Sequence, residues 1–174
     1  MKKIILLSTI LVLNVVTPLL HAAASTAAVK EVTANNLDMN NLKGVKDKKK
    51  RFFDFMRPIV NAENKKILEL RKQLVNAQKE GNRKDFVAAT AKSYSVDWDA
   101  GKKDWGKLLE RVDAVALEVV LAQSANESAW GQSRFAKKGN NFFGQWCYRK
   151  GCGIVPKKRD AGTKHEVASF KTVN

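Results

Sequence analysis

The distribution of apolar and polar positions divides the chain into stretches of different character. Ile4–Val16 is an apolar run interrupted only by Ser8, Thr9 and Asn14; Lys2 and Lys3 precede it and Pro18 follows. A positive start, a short apolar run and the small residues Ala22, Ala23 and Ala24 predict an export signal over residues 1–24, cleaved after Ala24. The run is short for a full bilayer crossing; an uncleaved anchor helix is the alternative. No cysteine sits at the cleavage region, which argues against a lipoprotein. Residues 25–44 are small, polar and asparagine-rich, and predict a flexible leader.

Helical spacing takes over in residues 45–112. Phe52, Phe53, Phe55 and Met56 can bury one side of a short helix. Pro58 suits the first turn of a second helix, along which Ile59, Ala62, Ile67, Leu70, Leu74 and Ala77 recur near the helical period until Gly81 stops it. KDFVAATAKSY reads as a further short helix, and DWDAGKKDWGKLLERV as a turn followed by a helix. Asp113 is placed to cap a helix over Ala114–Ser128, with Val115, Val119, Val120 and Ala122 as its core face.

Beyond Gly131 the character changes. Ser133 can cap a single turn through Lys137, closed by Gly139. The remainder is rich in glycine and aromatics, and Gly153–Val155 and Glu166–Phe170 predict two strands joined by a basic turn. No internal repeat interrupts this order. The expected fold class is α+β, with a mainly helical lobe and a small β-sheet lobe.

Charge narrows the partners. The chain carries 32 Lys and Arg against 17 Asp and Glu, a formal charge of +15. Loss of Lys2 and Lys3 with residues 1–24 leaves 150 residues at about +13, enough for one domain with a real core. An exported protein this basic is expected to meet a polyanion. Helix-turn-helix, zinc-finger and glycine-aromatic strand signatures are missing, so nucleic acid is not the expected partner, nor is stable membrane insertion after cleavage. The lysine-rich run before Phe52 reads as a solvated helix face or as a contact for an anionic surface. Cys147 and Cys152 enclose only Tyr-Arg-Lys-Gly and, in an exported chain, read as a disulfide shaping a tight loop. Free thiols or a metal site are the alternatives, but a metal would need two further ligands and only His165 stands beside the carboxylates.

The densest chemistry lies in Leu121–Gly144, LAQSANESAWGQSRFAKKGNNFFG. Glu127 closes an apolar helix beside Trp130. Burial and the negative helix end both disfavour its charged form, as a general acid working near neutral pH requires. A helix-end glutamate facing water is the other reading. AQSANESAWGQSRFA, then NNFFG, then GTKHEVASF resemble glycoside hydrolase family 73, the bacterial cell-wall N-acetylglucosaminidases, in its Bax-type branch. The family motifs cover residues 113–174, with residues 45–112 as a helical N-terminal region.

That resemblance implies a lysozyme-like fold with a sugar cleft between the helical lobe and the sheet lobe. It implies a periplasmic or envelope enzyme that cuts the β-1,4 bond after N-acetylglucosamine in peptidoglycan, with no metal or cofactor. Glu127 falls at the family's acid and Glu166 at its second carboxylate. Around them, Trp130, Asn141, Phe143, Gln145, Trp146 and Tyr148 are candidate substrate contacts. Trp146 and Tyr148 are expected to face sugar, Trp130 and one of Phe142 and Phe143 to wall Glu127 from water, and Gln123 to orient it. The substrate's 2-acetamido group can replace a protein nucleophile, and a lytic transglycosylase is the neighbouring alternative. Two departures stand out: Val173 occupies the place of a family tyrosine, and the sequence stops in mid-motif, as a truncated, inactive wall-binding piece would. The residues leave the oligomeric state open.

Overall fold

The structure is a computed structural model that describes residues 31–99, 101, 103–159 and 162–173. The expected export signal lies outside the described residues, as do the first residues of the expected leader. The elements are a 3-10 turn Ala34–Asn36, helices α1 Val45–Glu80, α2 Lys84–Ser93, α3 Trp105–Arg111, α4 Leu117–Glu127 and α5 Arg134–Gly139, and strands β1 Trp146–Cys147, β2 Gly153–Ile154 and β3 Glu166–Ala168. The chain is thus α+β and mostly helical. Its sheet is antiparallel, ordered β1-β3-β2, with Trp146 opposite Val167 and Ile154 opposite the same residue on the other side.

Two separate cores hang on α1. The first joins Phe52, Met56, Ile59 and Val60 of α1 to Leu121 and Ala125 of α4, Ala136 of α5 and Phe142. The second gathers Leu74 and Ala77 with Val87 and Ala91 of α2, Val96, Leu108 and Val112. Between them α1 is held by polar groups. The Asn64 side chain donates to Val115 O at 2.8 Å and accepts from Val115 N at 3.2 Å. Arg71 donates to the carbonyls of Leu109 and Val112.

Several expectations are corrected here. Pro58 does not open a helix; it lies inside one continuous helix of 36 residues. Proline removes one amide donor, but the first core grips Phe52 and Met56 before it and Ile59 and Val60 after it, so burial holds both sides in line. Asp113 does not cap α4. Its carboxylate accepts from the next amide, Ala114 N, at 2.8 Å. Because Asn64 takes both backbone groups of Val115, the helix begins only at Leu117. Consequently Val115, Val119 and Ala122 face solvent, and the buried face is Leu121, Ser124 and Ala125.

Residues 31–44 are not a free leader either. Ala34 and Leu37 are buried in the first core, and Val173 N donates to Val32 O at 2.7 Å. Ser133 caps α5 as expected, accepting from Ala136 N at 3.0 Å, whereas the left-handed closing residue is Asn140, not Gly139. The strands at 153 and 166 form as expected and are shorter; β1 is additional, two residues recognised only by their pairing.

If α1 is continuous through Pro58, Pro58→Ala should stabilise the protein by about 1–3 kcal/mol, since proline in a helix interior costs about 3. Urea denaturation reads this directly. A loss or no change would mean that Pro58 begins a helix after all.

Candidate active site

Glu127 is the last residue of α4 and is exposed. The chain leaves the helix through Ala129, Trp130 and Gly131, three successive residues with φ of 50°, 58° and 74°. Left-handed backbone costs roughly 1–2 kcal/mol per non-glycine residue, so this turn must be held from outside. Ser128 holds it: its buried hydroxyl donates to Ser124 O at 2.6 Å and accepts from Gly131 N at 2.8 Å. Its carbonyl accepts from Ser133 N at 2.9 Å. A side chain at Gly131 would overlap Leu37, so glycine there serves both the backbone and the docking of residues 31–44.

The turn points Trp130 away from the role expected of it. Its ring meets Phe52 at 5.5 Å and Phe53 at 5.4 Å edge to face, and Lys49 lies over it at 5.3 Å. Trp130 therefore closes the first core instead of walling Glu127. Phe142 is buried in the same core, and Phe143 packs against it, half-buried. Gln123 is exposed and makes no hydrogen bond to Glu127 among the described residues. Glu127 is open to solvent rather than sealed by aromatics. No hydrogen bond or ion pair engages its carboxylate among the described residues. Its near neighbour is Gly144, where an ideal Cβ would stand 3.1 Å from Oε2. Gly144 has φ 65°, and its lack of a side chain leaves the space that the carboxylate fills.

Gly144 joins Phe143 to Gln145, both of which line a cavity of about 360 Å³. Its far wall is Phe170 to Val173; Gly144 lies in the chain between two of its lining residues, and Glu127 is not itself part of the lining. Val173, at the place of the family tyrosine, contributes an apolar wall and a backbone tie to Val32. Asn141 also borders the cleft, but it is 2% exposed. Its Nδ2 donates to the carbonyls of Gln145 and Ala168, each at 2.9 Å, and its Oδ1 accepts from Phe143 N and Gln145 N. Backbone occupies all four of its hydrogen-bonding positions, which leaves none for a sugar. Gln145 is exposed, and so are Trp146 and Tyr148 on and beside β1, at 58% and 75%. Trp146 stacks on His165 with ring centres 4.1 Å apart.

Glu166 lies on β3 and is 7% exposed. Its oxygens accept from Gly151 N at 3.0 Å and Gly153 N at 2.8 Å. These two amides hold its carboxyl below the usual glutamate range. Both lie in or beside the ring closed by the Cys147–Cys152 disulfide, so Glu166 fastens that ring to the sheet. The two sulfurs and the carboxylate gather within 4.8 Å, but bonded to each other the sulfurs offer a metal no thiolate. The structure thus brings Glu127, Phe143 and Gln145 around Gly144, places Trp146 on the adjoining strand and Tyr148 just beyond it, and turns Asn141 and Glu166 inward. The sequence reading named NNFFG, His165 and Val173 but did not foresee Gly144 as the neighbour of Glu127, the stacking of His165 on Trp146, or the wall formed by residues 170–172.

Residues 102–174 match the glucosaminidase family, described as mannosyl-glycoprotein endo-beta-N-acetylglucosaminidase. The chain is also similar to Protein bax of Escherichia coli (strain K12), at 32% identity over 136 residues, 72% of this chain and 50% of that protein. It spans about half the length of that curated relative. No solved structure matches it.

Two outcomes test the inward-facing residues. Asn141→Ala leaves buried backbone groups unpaired and should cost on the order of 3 kcal/mol in urea denaturation; a substrate contact would leave stability unchanged. For Glu166, the lowered pKa means that its stabilisation is present above the ordinary glutamate range. That stabilisation is lost as pH falls through the lowered value. The thermal midpoint of Glu166→Gln should therefore be lower at pH 7 and fall less than wild type on acidification to pH 3.

Proposed function

The chain belongs to the glucosaminidase family as a Bax-type member, and on that footing we propose that it is an exported peptidoglycan hydrolase with a lysozyme-like cleft. It cleaves the β-1,4 bond after N-acetylglucosamine, and Glu127 is its general acid. The observation that carries this reading is the position of Glu127: an exposed carboxylate without a protein partner among the described residues, set against Gly144, the glycine between the cleft-lining residues Phe143 and Gln145.

A glycan strand laid across Gly144 would bring a glycosidic oxygen to this carboxylate and displace the water around it. Glu127 then gives its proton to the leaving oxygen as the bond from C1 to that oxygen breaks. Exposed Trp146 and Tyr148 present apolar faces to sugar rings, and Gln145 offers an amide. The cationic residues from Lys137 to Lys164 form a rim for stem-peptide carboxylates. The positive charge developing at C1 needs a second group. Glu166 was expected there, but its oxygens face two amides in and beside the disulfide ring, which favours capture by the substrate's own 2-acetamido oxygen or by water. Capture by the sugar's own hydroxyl, the lytic transglycosylase reaction, uses the same single acid and is the second reading. No helix among the described residues is long and apolar enough to cross a membrane; glycan strands are the proposed partner, in the periplasm or envelope.

The deciding experiment is the clearing of purified sacculi by wild type and by Glu127→Gln. Loss of the acid should slow clearing by roughly 10²–10⁴-fold without unfolding the protein, and the wild-type products should carry reducing N-acetylglucosamine ends. Anhydro ends would identify the transglycosylase; equal clearing by both proteins would remove Glu127 from the reaction. Sacculus binding without clearing by either would mark a wall-binding protein.

A further inference from the structure

A second cavity, of about 420 Å³, lies on the second core, lined by the end of α1, the start of α2 and the residues Trp98, Asp99, Lys103 and Trp105. Its volume falls within the roughly 300–1,000 Å³ of small-molecule sites. Trp98 and Trp105 are half-buried, with centroids 5.0 Å apart and planes at 87°. Two indoles at right angles make a corner, with one apolar floor and one apolar wall. The corner is fixed from below: Asp104 caps α3 by accepting from Lys107 N at 2.9 Å, which sets Trp105.

The lining around the corner is polar and balanced. Asp85 and Asp99 supply two carboxylates, Lys84 and Lys103 two ammonium groups, and Gln78 and Asn82 two amides. Asp99 accepts from Gly101 N at 2.7 Å. Asn82 donates to Glu80, whereas the side chains of Asp85, Lys84 and Lys103 make no hydrogen bond or ion pair among the described residues. Among the described residues the charges of the lining cancel, which selects neither an anion nor a cation. A mixture of acceptors and donors above an aromatic corner suits a neutral ring with one apolar face and several hydroxyl groups, which is a pyranose.

We propose that this cavity is a second glycan-binding site, which takes an N-acetylamino sugar of the strand and holds the polymer apart from the site of cleavage. The choice of sugar rests on the reading of Glu127 and its cleft given above. The cavity belongs to α1, α2 and the segment leading into α3, and none of the residues around Glu127 lines it.

The test is a titration of full-length Glu127→Gln protein with tetra-N-acetylchitotetraose, followed by the indole N–H signals of the four tryptophans. Trp98 and Trp105 should shift together and saturate while Trp130 stays still. Asp85→Asn should raise their midpoint about tenfold, the loss of one charged hydrogen bond. Motionless Trp98 and Trp105 signals, or an unchanged midpoint in Asp85→Asn, would overturn the site. Trp146 reports the cleft separately. Movement of Trp146 alone defeats this inference and leaves the cleft standing; movement of Trp98 and Trp105 alone does the reverse.

Discussion

Asn140 and Asn141 hold together what regular structure here is too short to hold. Strands of two and three residues supply few ladder bonds and cannot persist unaided. The Asn140 side chain accepts from Ala34 N at 2.7 Å and donates to the carbonyls of Phe170 and Lys171, joining segments more than 100 residues apart. Asn141 does the same for its own loop and for the end of β3. Buried amides are costly unless fully paired, and full pairing makes them specific. Around this pair the loop through Gly144 takes one shape, and Glu127 meets it.

The two carboxylates divided by this framework have opposite surroundings. Glu127 ends a helix whose outward face is open at Val119, Ala122 and Glu127, and among the described residues no hydrogen bond or ion pair engages its carboxylate, which lies beside Gly144. Glu166 is shut in and bound by amides. One has no protein partner among the described residues; the other fixes the shape of the ring beside Trp146 and Tyr148. Their separate duties follow from partners rather than from residue type.

Much of this was legible in the chain, and the exceptions have a common cause. Gly81, Ser133, Cys147 with Cys152, and the strands near 153 and 166 carry local signals, and local backbone chemistry decides them. Pro58, Asp113 and the segment 31–44 have equally clear local signals that distant contacts override: the first core around Pro58, the Asn64 side chain at Val115, and Asn140 with Leu37 for the segment. The site divides the same way. The motif picked out Glu127 and the exposed Trp146 and Tyr148, but no spacing along the chain could tell that Asn141 and Trp130 face inward, because their partners come from α1, β3 and the loop itself.

With two cores on one helix, α1 becomes the conductor between them. At 1.5 Å per residue its 36 residues extend about 54 Å, and between the cores it is steadied by Asn64 and Arg71 rather than by shared packing. Side-chain disturbance in one core therefore passes to the other through α1 and its ties at Asn64 and Arg71 rather than through buried residues common to both. The surroundings of Glu127 and Gly144 thus share no buried residue with the second core, which can repack with little direct effect on them.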